Sequence, residues 1–521
     1  MLTGNSPEIT NLMKRNLLLG ILTGVLLGLS FPPFKTGFLA YFVLIPFFLL
    51  LEDKHGFSAF RWGYISGLFA DIATLFWIGW VTVPGMIGAL LVLPLFWGFY
   101  AFLHTFLYRR LQFKAYLVVP FLWTAVEYLQ SAGETAFPWN FLGYSQSYYL
   151  PFIQFAEYLA VFGVSFWVVS INCTIFLLWK KWSLPRLRSV LAIILGILFL
   201  LPAVHGIIRM SDNGVRTEKI KIALLQGNID PFEKWDKDLY DRNFKVYTDL
   251  ADSAIKGQPD LMIWPETATP FYLRYEMFYL ERVKMIADTA NLALLTGSVD
   301  FDYDDNGDYR YYNSALGFEA NLDYIQKYAK MLLVPFSERV PYKNYFPFNV
   351  LKNLLFDMAL GVGDYSQGSE YKLFTFHPRS WYLDKNNGNA YQAAVAICYE
   401  SVFPDHIAKL TRMGANILII ITNDAWFGKT SAPHQHQQIA VFRAIENRIP
   451  VARCANTGVS CFIDEYGHVS RSTALFEQAL IEQEVALTSS CTFYAKYRFL
   501  LPLITLIVTL TALIFSIAKR K

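Results

Sequence analysis

The chain has 521 residues, and charged residues are unusually sparse in it. Hydrophobic residues make up 54% of the sequence and aromatic residues 17%, but charged residues make up only 17%, against roughly 25% in an ordinary soluble domain. The formal net charge is +3. This composition excludes intrinsic disorder and argues against a purely soluble protein.

The charged residues are distributed unevenly along the chain. Residues 1–208 hold 12 Lys and Arg with 7 Asp and Glu, residues 209–495 hold 28 with 35, and residues 496–521 hold 5 with none. The middle segment therefore has the composition of a globular domain and a net charge of −7, 28 against 35. Because nucleic-acid binding needs a basic face, this acidic segment argues against it.

Eight apolar runs have the composition of membrane-spanning helices, which need about 20 apolar residues to cross a hydrocarbon core of ~30 Å. They lie at residues 16–32, 36–51, 59–80, 84–108, 115–132, 155–179, 189–208 and 498–518. The first run lacks a convincing cleavage site, so we interpret it as a retained helix and not as a signal peptide. Asp71, Glu127 and Glu157 lie within or near these runs and should face the protein interior or an interface, because charge is costly in lipid.

Basic residues between the runs predict the orientation of the protein. Fourteen Lys and Arg fall on one side of the predicted membrane, whereas the short loops of the other side hold only Lys35. The positive-inside rule then makes both termini cytoplasmic and places the intervening domain outside. We expect a seven-helix region at 1–212, a catalytic domain at 213–492 and a closing helix with a basic tail at 493–521.

The segment between the seventh and eighth runs alternates short strands with helices. Strand candidates, rich in β-branched and apolar residues, lie at 220–226, 261–264, 292–297, 393–398, 417–422 and 451–455. Helical patterns lie at 241–256 and 276–290, and residues 300–308 are interpreted as a polar turn. This alternation predicts an α/β domain.

Three apolar segments of this domain lead to reactive side chains. The first ends in Trp-Pro and Glu266, the second begins after Lys330 and ends at Glu338, and the third ends at Cys398. Each residue alone is better explained as structural, since a cysteine that closes an apolar strand is usually a small buried hydrophobe. Together they indicate a nucleophilic site, because a carboxylate can take the proton of a thiol and a cation can stabilise the resulting oxyanion.

These residues belong to a set of motifs that extends over nearly the whole chain. The set includes Phe137-Pro-Trp, Gln226-Gly-Asn, Trp-Pro-Glu266, Tyr-x-Lys330, Leu-Val-Pro-Phe-x-Glu338, Ile-Cys398-Tyr-Glu and Asn423-Asp-Ala-Trp-Phe-Gly. It resembles the apolipoprotein N-acyltransferase family, the membrane-embedded branch of the nitrilase superfamily. The resemblance implies a polytopic α-helical membrane protein, with about eight transmembrane helices, that carries an extracytoplasmic nitrilase-like α-β-β-α sandwich.

The resemblance also implies an activity. A fatty acyl chain would pass from a phospholipid to the α-amino group of the S-diacylglyceryl cysteine of a lipoprotein, with Cys398 as nucleophile, Glu266 as general base and acid, and Lys330 stabilising the oxyanion. A thioester on Cys398 would link two half-reactions. The family implies residence in the bacterial inner membrane, and we expect no cofactor, no nucleic acid and no obligate protein partner.

Six further residues are expected to support the site or to bind substrate. They are Glu338, Tyr399 and Glu400 as supporting residues, and Trp235, Trp426 and Phe427 as substrate-binding candidates. The backbone N–H of Tyr399 would be a second oxyanion donor, and Glu400 would hold the cysteine loop. The aromatic residues could wall an acyl channel, because their rings are large and rigid.

Two positions depart from the family pattern, and one assignment depends on spacing. The usual His after the catalytic lysine is Leu332, and the usual Gly before the later glutamate is Ser337. Ser337 would alter the loop if that glycine has positive φ. Lys327 is a second nearby cation, so the assignment of Lys330 depends on its distance from the Leu-Val-Pro-Phe motif.

Three other features are less informative. The apolar segment 348–361 is expected to form either a lid that dips towards lipid or an amphipathic core helix. His434 and His436 lack a third neighbouring ligand, so no metal site is predicted. The five cysteines are odd in number and lack Cys-x-x-Cys spacing, which indicates neither a disulfide framework nor a zinc site.

Two alternative functions remain open from the sequence. The first is a membrane-tethered amidase, in which water resolves the thioester. The second is a transporter or receptor that only binds lipid. Against the second, the predicted spans lack paired helices broken by Gly or Pro, which mark the midplane sites of transporters, and the three reactive residues would have no purpose.

Overall fold

The computed structural model describes residues 7–211, 218–304, 306–342, 345, 365–384, 387–489 and 491–518. The chain forms two units, residues 1–212 with 497–521 and residues 213–496. The predicted lid at 348–361 lies outside the described residues.

The described part of the first unit is helical. Its α-helices are α1 (Pro7–Ser30), α2 (Leu44–Leu51), α3 (Gly56–Leu75), α4 (Ile78–Val81), α5 (Val83–Leu111), α6 (Val119–Gln130), α7 (Leu150–Ile153), α8 (Ala156–Lys180), α9 (Pro185–Met210) and the C-terminal helix (Leu500–Ala518). Short 3-10 helices lie at Gly37–Tyr41, Gln112–Leu117 and Leu142–Gln146. Each of the eight predicted runs contains helix, which confirms the polytopic helical class.

Five helical segments among the described residues are long and apolar enough to cross a membrane. They are Asn11–Ser30, Gly85–Leu117, Ala156–Lys180, Pro185–Met210 and Leu500–Ala518. The other three predicted runs are short or less apolar. The second is split between Gly37–Tyr41 and α2, the third carries buried Asp71 in α3, and the fifth holds the 12 residues of α6. At 1.5 Å per residue, α6 is about 18 Å long, less than the hydrocarbon core.

Three carboxylates of this unit are buried, namely Asp71, Glu127 and Glu157. Asn140 donates a hydrogen bond to Asp71 (2.8 Å), Trp123 donates one to Glu127 (2.9 Å), and Arg209 forms an ion pair with Glu157 (3.0 Å). The expectation that these carboxylates face the interior is therefore confirmed, and protein donors take the place of water there.

The second unit contains two six-stranded sheets. Its strands are β1 (Lys219–Gln226), β2 (Leu261–Ile263), β3 (Ala293–Tyr303), β4 (Tyr309–Glu319), β5 (Gln326–Ala329), β6 (Leu373–Phe376), β7 (Tyr391–Ile397), β8 (Ile417–Thr422), β9 (Val451–Ala455), β10 (Cys461–Ile463), β11 (Val469–Ser470) and β12 (Ala479–Ala486). The strand orders are β12-β1-β2-β3-β4-β5 and β11-β10-β9-β8-β7-β6. The pairs β1–β2, β2–β3, β7–β8 and β8–β9 are parallel, and the other pairs are antiparallel.

The two sheets share one apolar core, and helices cover their outer faces. The helices of this unit are α10 (Tyr240–Ile255), α11 (Met277–Ala290), α12 (Arg379–Leu383), α13 (Pro404–Arg412), α14 (Ala432–Asn447) and α15 (Phe493–Lys496). Leu224 of β1 lies in the same core as Ile419 of β8, whereas the neighbouring Leu225 packs with Tyr247 of α10. This alternation buries both faces of β1. The predicted α-β-β-α sandwich is confirmed.

The six predicted strands correspond to β1, β2, β3, β7, β8 and β9, whereas β4, β5, β6, β10, β11 and β12 were not predicted. The predicted strands 417–422 and 451–455 match β8 and β9 residue for residue. The polar turn predicted at 300–308 is too long, because β3 continues to Tyr303 and β4 begins at Tyr309. The turn is the connection between these strands, where the Asp304 N–H donates to the Asp308 carbonyl (2.9 Å). Arg274 pairs with both Asp300 and Asp302. These ion pairs explain how an acidic sequence can continue as a strand.

Candidate active site

Cys398 lies directly after β7, at a position of backbone strain. Its φ is +51°, in the left-handed region that a residue with a side chain rarely adopts. It begins the 3-10 turn Cys398–Val402, and its side chain is 9% exposed. Strained residues of this kind concentrate at functional sites. The strand therefore ends in a sharp turn that begins at the thiol.

Glu400 connects this turn to the segment that follows Lys330. Its side chain accepts the Ile397 N–H (2.8 Å), the Met331 N–H (2.6 Å) and the Tyr328 hydroxyl (2.7 Å), and it is fully buried. Burial raises the pKa of Glu400, and these hydrogen bonds partly offset the rise. Its contacts make it a brace between two loops of the site.

Lys330 follows β5 and lies between two carboxylates. Its Nζ is 2.8 Å from Glu338 Oε1 and 3.5 Å from Glu266 Oε1, and its side chain is 1% exposed. Burial lowers the pKa of Lys330, but Glu338 and then Glu266 raise it more, so the net shift is upward. The ammonium therefore stays charged in a site that excludes water.

Glu266 is held by donors on both of its oxygens. The Asn313 side chain donates to Oε1 (2.7 Å), and the Asn423 backbone N–H donates to Oε2 (2.8 Å). Asn313 also reaches Glu338 Oε1 (3.3 Å). These donors fix the orientation of the carboxylate towards the rest of the site.

Burial raises the pKa of the Cys398 thiol, Glu266 raises it further, and Lys330 lowers it. The net shift is upward, so the resting thiol is protonated. A thiolate can then form only if a neighbouring base takes the proton as the thiol attacks. Glu266 is the one of the two carboxylates beside Lys330 whose negative charge raises the pKa of the thiol. Glu266 is therefore the candidate base.

Sequence reasoning missed two residues that contact Glu266 or its neighbour. Asn313 lies in the middle of β4, where no strand end marks it. Lys234 is 1% exposed, and its Nζ donates to the Glu266 carbonyl (3.0 Å) and to the Thr267 hydroxyl (2.7 Å). Burial lowers the pKa of Lys234 to about 7, against the opposing effect of Glu266. The neighbouring Trp235 was predicted as a substrate-binding candidate, but the lysine was not singled out.

The substrate-binding candidates differ in exposure. Trp235 is 40% exposed, and Trp426 packs edge-on against Phe232 with ring centroids 5.7 Å apart. Phe427 is partly buried in the turn that follows Asn423. By contrast, Trp264 is fully buried and stacks on Tyr247, so it belongs to the core and lines no open channel.

The departures from the family pattern leave the cluster intact. The positive φ of this loop is at Phe336 (60°), so Ser337 needs no left-handed backbone. Leu332 contributes its backbone N–H to Glu400 (3.3 Å). Lys327 pairs with Asp300 and Asp302 (2.5 and 2.6 Å), which leaves Lys330 as the cation of the cluster. His436 contacts Asp424 and Arg453 instead of a metal-ligand set.

Two relatives are similar to this chain over nearly its whole length. Family models described as Carbon-nitrogen hydrolase and Apolipoprotein N-acyltransferase N-terminal domain match residues 221–491 and 23–174. An apolipoprotein N-acyltransferase from Geobacter metallireducens is 34% identical, covering 94% of this chain and 93% of the relative. One from Chlorobaculum tepidum is 32% identical, covering 98% of each. An amidase structure from Nesterenkonia sp. aligns at 18% identity with a TM-score of 0.37, covering 54% of this chain and 95% of the amidase.

Proposed function

The chain belongs to the apolipoprotein N-acyltransferase family, and on that premise we propose that it transfers a fatty acyl chain from a phospholipid to a lipoprotein. The acceptor is the α-amino group of an N-terminal S-diacylglyceryl cysteine. The observation that carries the proposal is the buried cluster in which Lys330 lies between Glu266 and Glu338. In this cluster Glu266 raises the pKa of the Cys398 thiol and Lys330 lowers it. This cluster supplies a nucleophile, a base and a fixed positive charge.

In the first half-reaction Cys398 attacks the ester carbonyl of the phospholipid. Glu266 takes the thiol proton, and Lys330 together with the Tyr399 N–H stabilises the tetrahedral oxyanion. The carbon–oxygen bond then breaks, and Glu266 returns the proton to the departing lysophospholipid alkoxide. A thioester remains on Cys398. Removing one donor of such an oxyanion site typically costs about 3 kcal/mol of transition-state stabilisation.

In the second half-reaction the lipoprotein amine attacks the thioester. Glu266 accepts the proton released by the amine, and the same oxyanion donors stabilise the second tetrahedral intermediate. The carbon–sulfur bond breaks, the thiolate regains the proton from Glu266, and an amide is the product. The two half-reactions share one base and one oxyanion site, so the kinetics should be ping-pong.

Five residues support this chemistry without forming bonds to substrate. Glu338 holds Lys330 in place through their 2.8 Å contact. Glu400 braces the cysteine turn against the segment after Lys330. Trp235, Trp426 and Phe427 are assigned to the binding of acyl chains, for which exposed aromatic rings are suited.

The apolar helices support a location in a bilayer. We also propose how the chain is oriented across that bilayer. The protein resides in the bacterial inner membrane with both termini cytoplasmic and the catalytic domain periplasmic, as the distribution of basic residues favours. Both substrates are anchored there by acyl chains, and moving a chain into water would cost ~0.8 kcal/mol per CH₂. The bilayer therefore supplies both the acyl donor and the acceptor.

The experiment uses purified protein, a phospholipid with a labelled acyl chain, and a peptide with an N-terminal S-diacylglyceryl cysteine. Without peptide, we expect one equivalent of lysophospholipid and a labelled enzyme. With peptide, label should move into an amide, but not when the α-amine is acetylated. Cys398→Ala should abolish both steps, whereas Cys491→Ser, which changes the exposed cysteine, should not. Continuous release of free fatty acid without peptide would instead identify a hydrolase.

A further inference from the structure

A second buried polar cluster lies behind the cysteine turn, apart from Glu266 and Lys330. It consists of Ser401, Asp424, His436 and Arg453, which are each no more than 1% exposed. His436 comes from α14, Arg453 from β9 and Asp424 from the turn after β8. The proposed transfer mechanism uses none of these side chains. Buried polar residues drawn from separate elements need a structural or functional reason.

The cluster contacts the backbone carbonyl oxygen of Cys398. His436 Nε2 lies 3.2 Å from the Cys398 oxygen and 2.8 Å from Ser401 Oγ, and the Ser401 hydroxyl donates to the same oxygen at 2.8 Å. A carbonyl oxygen can only accept, so a proton on Nε2 makes the His436 contact attractive. The Cys398 carbonyl is thus held from one side by two side chains.

The far edge of the imidazole is held by an ion pair. With the proton of the ring on Nε2, Nδ1 accepts a hydrogen bond from Arg453 Nη2 (3.1 Å), and Nη2 also donates to Asp424 Oδ2 (2.6 Å). Asp424 Oδ1, which lies 3.0 Å from Nδ1, accepts from the Thr422 hydroxyl (2.8 Å). Burial opposes ionisation of Asp424, but Arg453 holds its pKa at about 2. Burial and Arg453 lower the pKa of His436, which is therefore neutral near pH 7. The ring has a fixed orientation and carries no net charge.

Peptide geometry links this carbonyl to the reacting centre. In a trans peptide, the C=O of one residue and the N–H of the next lie in one plane and point in opposite directions. Holding the Cys398 carbonyl against His436 and Ser401 therefore directs the Tyr399 N–H to the opposite side. Cys398 has a φ of +51°, a strained backbone conformation that the surrounding contacts must hold in place.

We propose that His436 is a positioning residue that, through the Cys398 carbonyl, aims the Tyr399 N–H at the oxyanion of the acyl-transfer reaction. Asp424 and Arg453 orient the imidazole, and Ser401 shares the carbonyl. The inference rests on the proposed function, because it concerns the oxyanion of that reaction. It predicts a defect in steps that form an oxyanion and none in the reactivity of the thiol itself.

The test compares two rates at Cys398 in a Cys491→Ser background, which removes the exposed thiol. The first is acyl-enzyme formation from a phospholipid, which passes through an oxyanion. The second is alkylation by iodoacetamide, which does not. The variants are His436→Leu, which removes the donor, and His436→Gln, whose amide can replace Nε2–H. The matched control is His434→Leu, two residues away on the same helix and only half-buried.

We expect His436→Leu to slow acylation by about 10- to 100-fold, less than the 10²- to 10³-fold that loss of a donor costs. Alkylation should stay within about twofold, because a neutral ring is replaced and the charge near the thiol is unchanged. His436→Gln should recover most of the acylation rate, and His434→Leu should match the parent in both rates.

Two results would overturn the role of His436. One is acylation by His436→Leu at the parent rate, and the other is an equal fall in acylation and alkylation, which would indicate a general effect on the fold or thiol. If His436→Leu does not fold, Ser401→Ala tests the hold on this carbonyl instead, since it removes the hydroxyl that contacts both the Cys398 carbonyl and His436 Nε2. A parent protein that is alkylated but never acylated would overturn the proposed function and this role with it.

Discussion

The carboxylates of the two units have different kinds of partner. In the membrane unit, Asp71 accepts a hydrogen bond from the neutral amide of Asn140. In the catalytic unit, Glu266 and Glu338 share the cation Lys330, which lies 3.5 Å and 2.8 Å from them. Asp71 Oδ2 is buried without a hydrogen-bond partner among the described residues, whereas the second arrangement concentrates three charges in one place.

This difference in partners distinguishes a carboxylate that contributes to helix packing from carboxylates that belong to the proposed catalytic site. A carboxylate bound by an amide contributes to helix packing and can be replaced by an amide of the same shape. Two carboxylates bound to one buried cation depend on that cation, because removing it leaves uncompensated charge. Glu157 of the membrane unit also pairs with a cation, but the side chain of that cation, Arg209, is 35% exposed.

The largest effect should follow from removing the shared cation. Lys330→Met keeps most of the side-chain volume, deletes an oxyanion donor and leaves two carboxylates unpaired, so acyl-enzyme formation should fall about 10³-fold. Lys327→Met is the matched control, because Lys327 pairs with Asp300 and Asp302 elsewhere on the same segment. Equal losses in the two variants, measured by single-turnover release of lysophospholipid, would disprove the assignment of Lys330.

A smaller effect concerns pH and stability at Lys234. Its pKa is about 7 in the folded protein, below the 10.5 of a free lysine. Between these values the unfolded chain binds a proton that the folded chain does not, so folding becomes more favourable as pH rises. Relative to Lys234→Met, the wild type should gain about 2 kcal/mol of unfolding free energy from about pH 7 to about pH 9.

Unfolding in detergent, followed at several pH values, measures this difference. Lys245→Met is the control, because Lys245 is exposed and pairs with Asp249 on the surface of α10. It should leave the pH dependence of the wild type unchanged. Parallel pH profiles for the wild type and Lys234→Met would show that Lys234 keeps an ordinary pKa in the folded state.

The smallest effect should come from Asp71 in the membrane unit. Asp71→Asn preserves the oxygen that accepts from Asn140, so the unfolding free energy should change by less than about 1 kcal/mol. Acyl-enzyme formation should stay within about twofold of the wild-type rate. A loss of activity as large as that of Lys330→Met would mean that buried carboxylates of the two units do not differ in role.

The sequence predicted the site residues that mark the ends of apolar segments and missed those inside elements. Glu266 and Cys398 follow apolar strands, so the ends of the apolar segments in the sequence mark both residues. Asn313 lies mid-strand in β4, whose first residues are polar or aromatic, and it donates to Glu266 from a position opposite Val299 of β3. His436 reaches Cys398 from a helix 38 residues further along the chain, a distance that no local pattern encodes.

The same limit applies to the membrane unit. Hydropathy located each helical run but could not foresee that α6 has only 12 residues or that Asp71 would be bound by Asn140. Helix ends and polar partners depend on tertiary packing, which one-dimensional hydropathy does not contain. Composition therefore predicts the helical membrane class of this unit more reliably than it predicts the lengths of the individual helices.

Mass spectrometry of the protein after incubation with phospholipid identifies the nucleophile and the base in one measurement. We expect a fatty-acyl adduct on the Cys398 peptide, removable by hydroxylamine as expected for a thioester, and its absence in Glu266→Gln. An adduct on another residue, or an adduct on Cys398 that forms at the wild-type rate in Glu266→Gln, would contradict the assignment of nucleophile and base.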